Sequence, residues 1–262
     1  MREEQISMLK VFQTERKEEI SKVSSTYKEE YFTEEKIADL PEPIKKYLYA
    51  TGYINQPLMY NADVIWKESF IKLNPKKPWQ PLETKQFNSI DPLVRIAYMK
   101  FLTMPVSGRD IYRNGRGEMK GKLFNLFTII NGKGRDVSQS SLITVFCEFL
   151  FIPAYIFAPY VSWEQMDERT VKAQLTDGEF KVSGFFHFDQ EGLFSRFETD
   201  DRYYDTGKGN YKKTKFSAIV DSYQLVDDLK IPKDVRIVWH LQSGDYEYYK
   251  GTIEKIVFNV NV

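Results

Sequence analysis

Hydrophobic and polar positions change their period along the chain. Through residues 1 to 32, Ile6, Met8, Leu9, Val11, Phe12, Ile20, Val23 and Tyr27 are scattered among Glu, Lys, Arg, Gln and Ser, which predicts a solvated helix or helix pair with a thin apolar stripe. Thr33 followed by Glu34 and Glu35 is an N-cap with acids in the first helical turn, so a short helix is expected there. Pro41 and Pro43 interrupt it, and Pro43 suits the first turn of a second helix running through Ile44, Tyr47 and Leu48 to a stop at Gly52. From Leu58 onward the period falls to two: Ala62-Val64-Trp66, Val94-Ile96-Tyr98, 106 to 113, 118 to 124, 127 to 130, Val171-Ala173-Leu175, Phe180-Val182-Gly184-Phe186-Phe188, 194 to 199, Phe216-Ala218-Val220, Val235-Ile237-Trp239-Leu241 and 254 to 260. Asn114-Gly115, Asn131-Gly132, Asp177-Gly178, Glu191-Gly192 and Ser243-Gly244 punctuate these runs as turns. Short strands joined in this way predict a mostly antiparallel meander.

Several strands carry apolar residues on both faces, as Phe185 beside Phe186 and Val238 beside Trp239, so each face is expected to meet an apolar layer or a ligand cavity. The stretch from Leu142 to Val161 is the most apolar of the chain, with Ser138, Ser140 and Ser141 as candidate caps. Its length approaches the roughly 20 residues of a membrane span. Glu148 at its middle and the breaks at Pro153 and Pro159 favour a buried helix ending near Pro153 that fills the hollow of the sheet, with a membrane-dipping lid as the rival. The expected fold is α+β: a large curved, mostly antiparallel half-barrel sheet over residues 33–262 packed around an apolar helix, preceded by a solvated helical segment over residues 1–32.

Composition narrows the function classes. With 37 Lys+Arg against 37 Asp+Glu, no general field favours a polyanion, and no nucleic-acid partner is expected. The 17 Tyr and 19 Phe exclude a disordered chain, and the single Cys147 excludes an internal disulfide or thiolate metal site. No apolar run follows Met1, so the chain as it stands reads as cytoplasmic, or as extracytoplasmic if an N-terminal anchor was trimmed.

Most catalytic signatures are missing: there is no Gly-x-Ser-x-Gly, no phosphate loop, no His-Glu-x-x-His and no Cys-x-x-Cys. Gly115-Arg-Gly117 and Gly132-Lys-Gly134 read as hairpin turns. Neither a cofactor nor a metal is expected. Glu148, among Phe146, Cys147, Phe149 and Leu150, needs a cationic partner or a raised pKa, because an unpaired buried charge costs several kcal/mol. Arg95, Arg109 and Arg113 are the candidate partners, and the pair is either a structural pin or a ligand-binding carboxylate. Arg109 and Arg113 share a strand face, suited to an anionic head group. His187 and His240 lie on strands, where either could serve as a general base. Trp66, Trp79, Trp163 and Trp239 are expected as core or rim anchors rather than a sugar platform.

Leu40-Pro-Glu-Pro-Ile-Lys-Lys-Tyr-Leu48, Trp79-x-Pro81 leading to Gln86-Phe87, Gly108-Arg-Asp-x-Tyr112, Gly115-x-Gly117-x-Met119, the Glu148 helix, Trp163 and Pro232-x-x-Val235-x-x-x-Trp239 resemble, in order, an uncharacterised bacterial family of unknown function. The resemblance runs from about residue 33 to the end and implies no activity. In outline the sheet and plug are similar to LolA-type lipoprotein carriers, which hold acyl chains between a curved sheet and helices. The leading expectation is a non-enzymatic protein that binds a lipid or other hydrophobic small molecule, with peripheral membrane contact. Glu148, Arg109, Arg113, Trp163, His187 and Trp239 are its candidate ligand-binding residues. The alternatives are a hydrolase or isomerase using Glu148 or His187 as acid or base, and a structural module docking a protein partner through the N-terminal helix.

Overall fold

The computed structural model describes residues 7–23, 29–207 and 209–261. Three helices come first: α1 (Met8–Val23), α2 (Glu34–Ile37) and α3 (Glu42–Thr51). Thr33 caps α2 by accepting from Lys36 N, Pro43 sits in the first turn of α3, and Gly52 ends α3 at φ 82. These are the stops and starts the local sequence predicts.

Strands β1 (Asn61–Ile71), β2 (Gln80–Ser89), β3 (Val94–Phe101), β4 (Val106–Arg113), β5 (Arg116–Leu123) and β6 (Phe127–Gly132) follow as an antiparallel meander. Helix α4 (Arg135–Cys147) and two 3₁₀ turns (Phe149–Phe151 and Pro153–Phe157) then lead to β7 (Val161–Gln165), β8 (Thr170–Asp177), β9 (Phe180–Phe188) and β10 (Phe194–Thr199). A separate ribbon of β11 (Tyr203–Gly207) and β12 (Asn210–Lys213) precedes the long strands β13 (Phe216–Val226), β14 (Leu229–Leu241) and β15 (Gly244–Phe258).

The main sheet has thirteen strands in the order β6-β5-β4-β3-β2-β1-β15-β14-β13-β10-β9-β8-β7, curved and unclosed. One meander therefore runs outward from β1 to the edge strand β6, and the other runs inward from the opposite edge strand β7 to β15, which pairs with β1. Because the chain leaves the sheet at one edge and re-enters at the other, residues 133–160 have to cross it. They do so over the concave face, where Leu142, Ile143, Phe146, Phe149, Leu150, Tyr155, Phe186 and Phe197 are fully buried in one cluster. Phe146 packs edge-on against Phe149 at 5.2 Å, Phe186 at 5.5 Å and Phe197 at 5.2 Å, and Phe149 stacks on Tyr155 at 4.3 Å. The hollow is thus filled by the chain's own apolar segment. Among the described residues no helix is long and apolar enough to cross a membrane.

The convex face is covered at one end by α1, whose Met8, Phe12 and Ile20 pack with Phe87, Val94, Ile96, Tyr98 and Ile111. Apolar residues on both faces of β2 to β4 are accounted for by these two layers. Ile6 and Tyr27, also read as part of the N-terminal stripe, lie outside the described residues.

Three local expectations are corrected. The cap of α4 is Gly134 at φ 108, and Ser138, Ser140 and Ser141 lie inside the helix. Ser138 donates back to Gly134 O at 2.9 Å, and a Cβ on Gly117 would come within 2.4 Å of Ser141 Oγ, so the small residues let α4 rest directly on β5. The regular helix ends at Cys147, six residues before Pro153, and continues as 3₁₀ turns. Asn131-Gly132 ends β6 and is no hairpin turn, since the chain passes from there into α4.

Candidate functional site

Where α4 ends, its C-cap residue Glu148 turns to the sheet and meets a row of polar side chains on the concave face. Arg95 Nε donates to both carboxylate oxygens, at 3.0 Å and 2.8 Å, while Gln86 Nε2 donates at 2.9 Å and Asn88 Nδ2 at 3.2 Å. Arg95 NH1 reaches on to Asp110 Oδ2 at 3.1 Å, and Trp66 Nε1 donates to Gln86 Oε1 at 3.3 Å. One network so links β1, β2, β3 and β4 to the end of the crossing helix. A carboxylate at a helix C-terminus opposes the helix dipole, and the guanidinium beneath it reverses that penalty. Burial works against the Arg95 charge, but the Glu148 and Asp110 carboxylates outweigh it and hold its pKa above the ordinary value. Burial first, and Glu148 next, push the neighbouring Cys147 thiol up to about 12, so it is no nucleophile near neutrality.

Arg109 and Arg113 are not part of this cluster. The register pairs Val94 with Arg113 and Tyr98 with Arg109, which turns both guanidinium groups to the convex face beneath α1. There Arg109 lies 3.5 Å from Glu15 and 3.4 Å from Glu118, and Arg113 lies 3.1 Å from Glu19, a fully buried carboxylate. Arg16 of α1 answers Asp63 of β1 with a bond of 2.8 Å from its Nε. The expected set of Glu148, Arg109 and Arg113 facing one head group does not form, because the sheet separates it. Arg95 is the partner that the fold selects.

Trp163 lies on the edge strand β7, donates to Ile156 O at 3.0 Å and packs 5.1 Å from Phe186, so it clasps the second 3₁₀ turn. Trp239 is buried under Tyr204 at 5.2 Å and Arg202 at 5.4 Å. Tyrosine hydroxyls add polar grips on the crossing segment: Tyr47 donates to Leu150 O at 2.6 Å, and Tyr155 donates to Ser89 O at 3.0 Å.

His187 points to the convex face, 3.4 Å from Glu198, at the side of a shallow cleft of ≈ 480 Å³ lined by Asp167, Glu168, Arg169, Thr170 and Phe188. Burial, with Arg196 behind it, lowers its pKa despite Glu198. His240 shares that face: Nδ1 is 2.8 Å from Asp245 and Nε2 is 2.8 Å from Ser217 Oγ. The spacing is that of a Ser-His-Asp relay, yet Ser217 is 0% exposed and its hydroxyl also donates to Glu198 at 3.4 Å, so it bridges strands and presents no nucleophile. Neither histidine approaches Glu148. Among the described residues no group of three or more His, Cys, Asp and Glu is arranged to hold a metal ion.

A family profile matches residues 30–251. The chain belongs to DUF6544, a family of unknown function. The match begins after α1 and takes in the Glu148 network, the crossing segment and nearly all of the sheet. No curated protein matches the sequence. Solved structures with a similar outline include a domain from Vibrio parahaemolyticus, provisionally described as an outer membrane lipoprotein-sorting protein, at 12% identity and TM-score 0.45 over 78% of this chain and 87% of that one. A DUF1329 family protein from Desulfovibrio piger matches at 10% identity and TM-score 0.43 over 84% of this chain and 93% of that one. A LolA superfamily protein from Nitrosomonas europaea matches at 9% identity and TM-score 0.43 over 82% and 91%.

Proposed function

We propose that this DUF6544 protein is a non-enzymatic binding protein that holds a lipid or other hydrophobic molecule between the curved sheet and the crossing segment. One observation carries the reading. The hollow of an unclosed sheet is filled by residues 149–157, a run of short 3₁₀ turns whose side chains are apolar or tyrosine and buried or nearly so. Such turns carry few hydrogen bonds of their own, so their place is held by buried apolar contacts, which an apolar ligand can replace in kind. Glu148 and Arg95 fix the helical end of the segment, and Trp163 with the tyrosine hydroxyls grips the rest. The pair of charges acts as a hinge pin in this reading. A carboxylate with three donor side chains already on it is poorly placed for acid–base chemistry, which disfavours Glu148 as the acid or base of a hydrolase or isomerase.

Native mass spectrometry of the purified protein, compared with the denatured mass and followed by organic extraction, tests the proposal. An added mass that leaves on denaturation and extracts as a lipid-like molecule is expected. A bare chain in every preparation, together with no uptake of a fluorescent fatty acid by the native protein, would overturn it.

A further inference from the structure

The meander alternates its turns between two ends of the sheet, and one end gathers the β1–β2, β3–β4 and β5–β6 turns. Phe124 N donates to Pro105 O at 2.7 Å, which fastens the last two of these side by side. Each turn exposes a large apolar side chain: Leu73 at 56%, Leu102 at 60%, Phe124 at 60% and Phe127 at 64%, with Leu126 beside them. Phe124 is held outward at φ 53 and is followed by Asn125 at φ 56. A bulky residue in the left-handed region is strained, so the fold gives up local stability to present this ring to solvent.

Charge is segregated to the same place. Residues 72–79, 100–106 and 119–127 contain Lys72, Lys76, Lys77, Lys100, Lys120 and Lys122 and no Asp or Glu, in a chain whose formal net charge is zero; the nearest acids along these strands are Glu83, opposite Lys100 in the β2–β3 ladder, and Glu118, so lysines outnumber acids at this end of the sheet. Among the described residues none of these six has a carboxylate within ion-pair distance. Trp79 sits in the first turn under the ammonium groups of Lys72 at 4.6 Å and Lys250 at 4.8 Å, an amphipathic ring at the junction of the charged and apolar zones. On the next strand in the sheet, β15, Lys250 is followed toward this end by Glu247 and Asp245, which bound the patch.

We propose that these three turns form a docking rim for an anionic phospholipid surface. Exposed Leu and Phe side chains at the tips enter the headgroup region, the lysines snorkel to lipid phosphates, and Trp79 lies at the boundary. Past Thr128 the unpaired edge of β6 stays in the hydrated zone, as its free backbone groups require. A partner strand pairing along β6 is disfavoured by the irregularity in the β5–β6 register at Gly121 and Lys122. This surface is separate from the hollow and does not depend on its contents.

Thr128 is exposed on β6, while the lone Cys147 is buried, so Thr128→Cys accepts an environment-sensitive thiol dye selectively. Dye emission and vesicle co-sedimentation would be followed with vesicles of phosphatidylcholine alone and of phosphatidylcholine with phosphatidylglycerol. Binding to the anionic vesicles alone is expected, falling steeply with added salt. Lys120→Gln with Lys122→Gln should weaken it roughly 25-fold, about fivefold per charge. Leu102→Ser with Leu126→Ser should abolish co-sedimentation while the thermal transition stays in place, since both side chains are exposed. No binding at low salt overturns the proposal. So does a dye response that follows protein concentration without vesicles, which would mark the rim as a contact between copies of the chain.

Discussion

Glu148 shows how one side chain reports on a fold before its surroundings are known. A carboxylate in the middle of an apolar run has to find a cation, and the run itself announces where it will be buried. Which cation was not legible, because strand alternation alone does not say which side of each strand faces the hollow. The register decides it: Val94 opposite Arg113 puts the odd-numbered residues of β3 on the two sides in the opposite sense to those of β4, so Arg95 faces α4 while Arg109 and Arg113 face α1. Removing one member of such a pair strands the other, and Glu148→Gln is expected to cost on the order of 3 kcal/mol. A urea midpoint series on Glu148→Gln, Arg95→Met and Arg95→Met/Glu148→Leu checks this, with the double variant losing less than the two singles added together. An unchanged midpoint for Glu148→Gln would remove the pin from the account. His187 makes a pH-dependent contribution of known sign. Its pKa in the folded protein lies below the ordinary 6.5, so below that pH the unfolded chain binds the proton more readily and stability falls as the solution is acidified. The melting temperature should fall between pH 6.5 and lower values less steeply in His187→Gln than in the parent.

At the scale of elements, α1 is the clearest case of a short pattern with a large consequence. Its sequence is mostly polar, yet Met8, Phe12 and Ile20 cover an apolar patch on β2 to β4, and Glu15, Arg16 and Glu19 meet Arg109, Asp63 and Arg113. Phe12 is 4% exposed, so Phe12→Ala should cost about 3 kcal/mol by calorimetry or denaturant unfolding. Deleting residues 8–23 should also raise binding of a hydrophobic dye, as the patch beneath it opens. A thermal transition unmoved by either change would show that the helix is a detachable arm. The α2 and α3 boundaries, the strand-rich middle and the apolar plug were legible because caps, prolines and period-two runs are local signals. Strand β2 was not, because Gln86 and Asn88 occupy its concave-facing positions and destroy the alternation that marks its neighbours. Those same two polar residues are the part of the Glu148 site that escaped the reading. Polar side chains on the buried face of a strand, read together with a carboxylate stranded in an apolar helix, are the signal that would have joined them.

For the whole molecule, topology explains why the most apolar stretch stands between the two groups of strands. The first meander grows outward from β1 and the second grows inward to β15, so the link from β6 to β7 spans the sheet, and a segment laid across a concave apolar face must itself be apolar. The two meanders meet directly at the β1–β15 ladder, running from Ala62 opposite Phe258 to Ile71 opposite Tyr249. Elsewhere the crossing segment joins them, with Glu148 on the first meander's Arg95 and Phe146 against Phe186 and Phe197 of the second. Weakening the segment should therefore destabilise both halves together. Phe146 is fully buried, and Phe146→Ala is expected to cost about 4 kcal/mol. Trp66 and Trp79 report on the first meander, Trp163 and Trp239 on the second, and variants retaining one pair at a time separate the two signals. Both should unfold in one coincident transition that Phe146→Ala moves by the same amount. If the second pair moved and the first stayed at the parent temperature, the meanders would be separate folding units and the segment would belong to one of them alone.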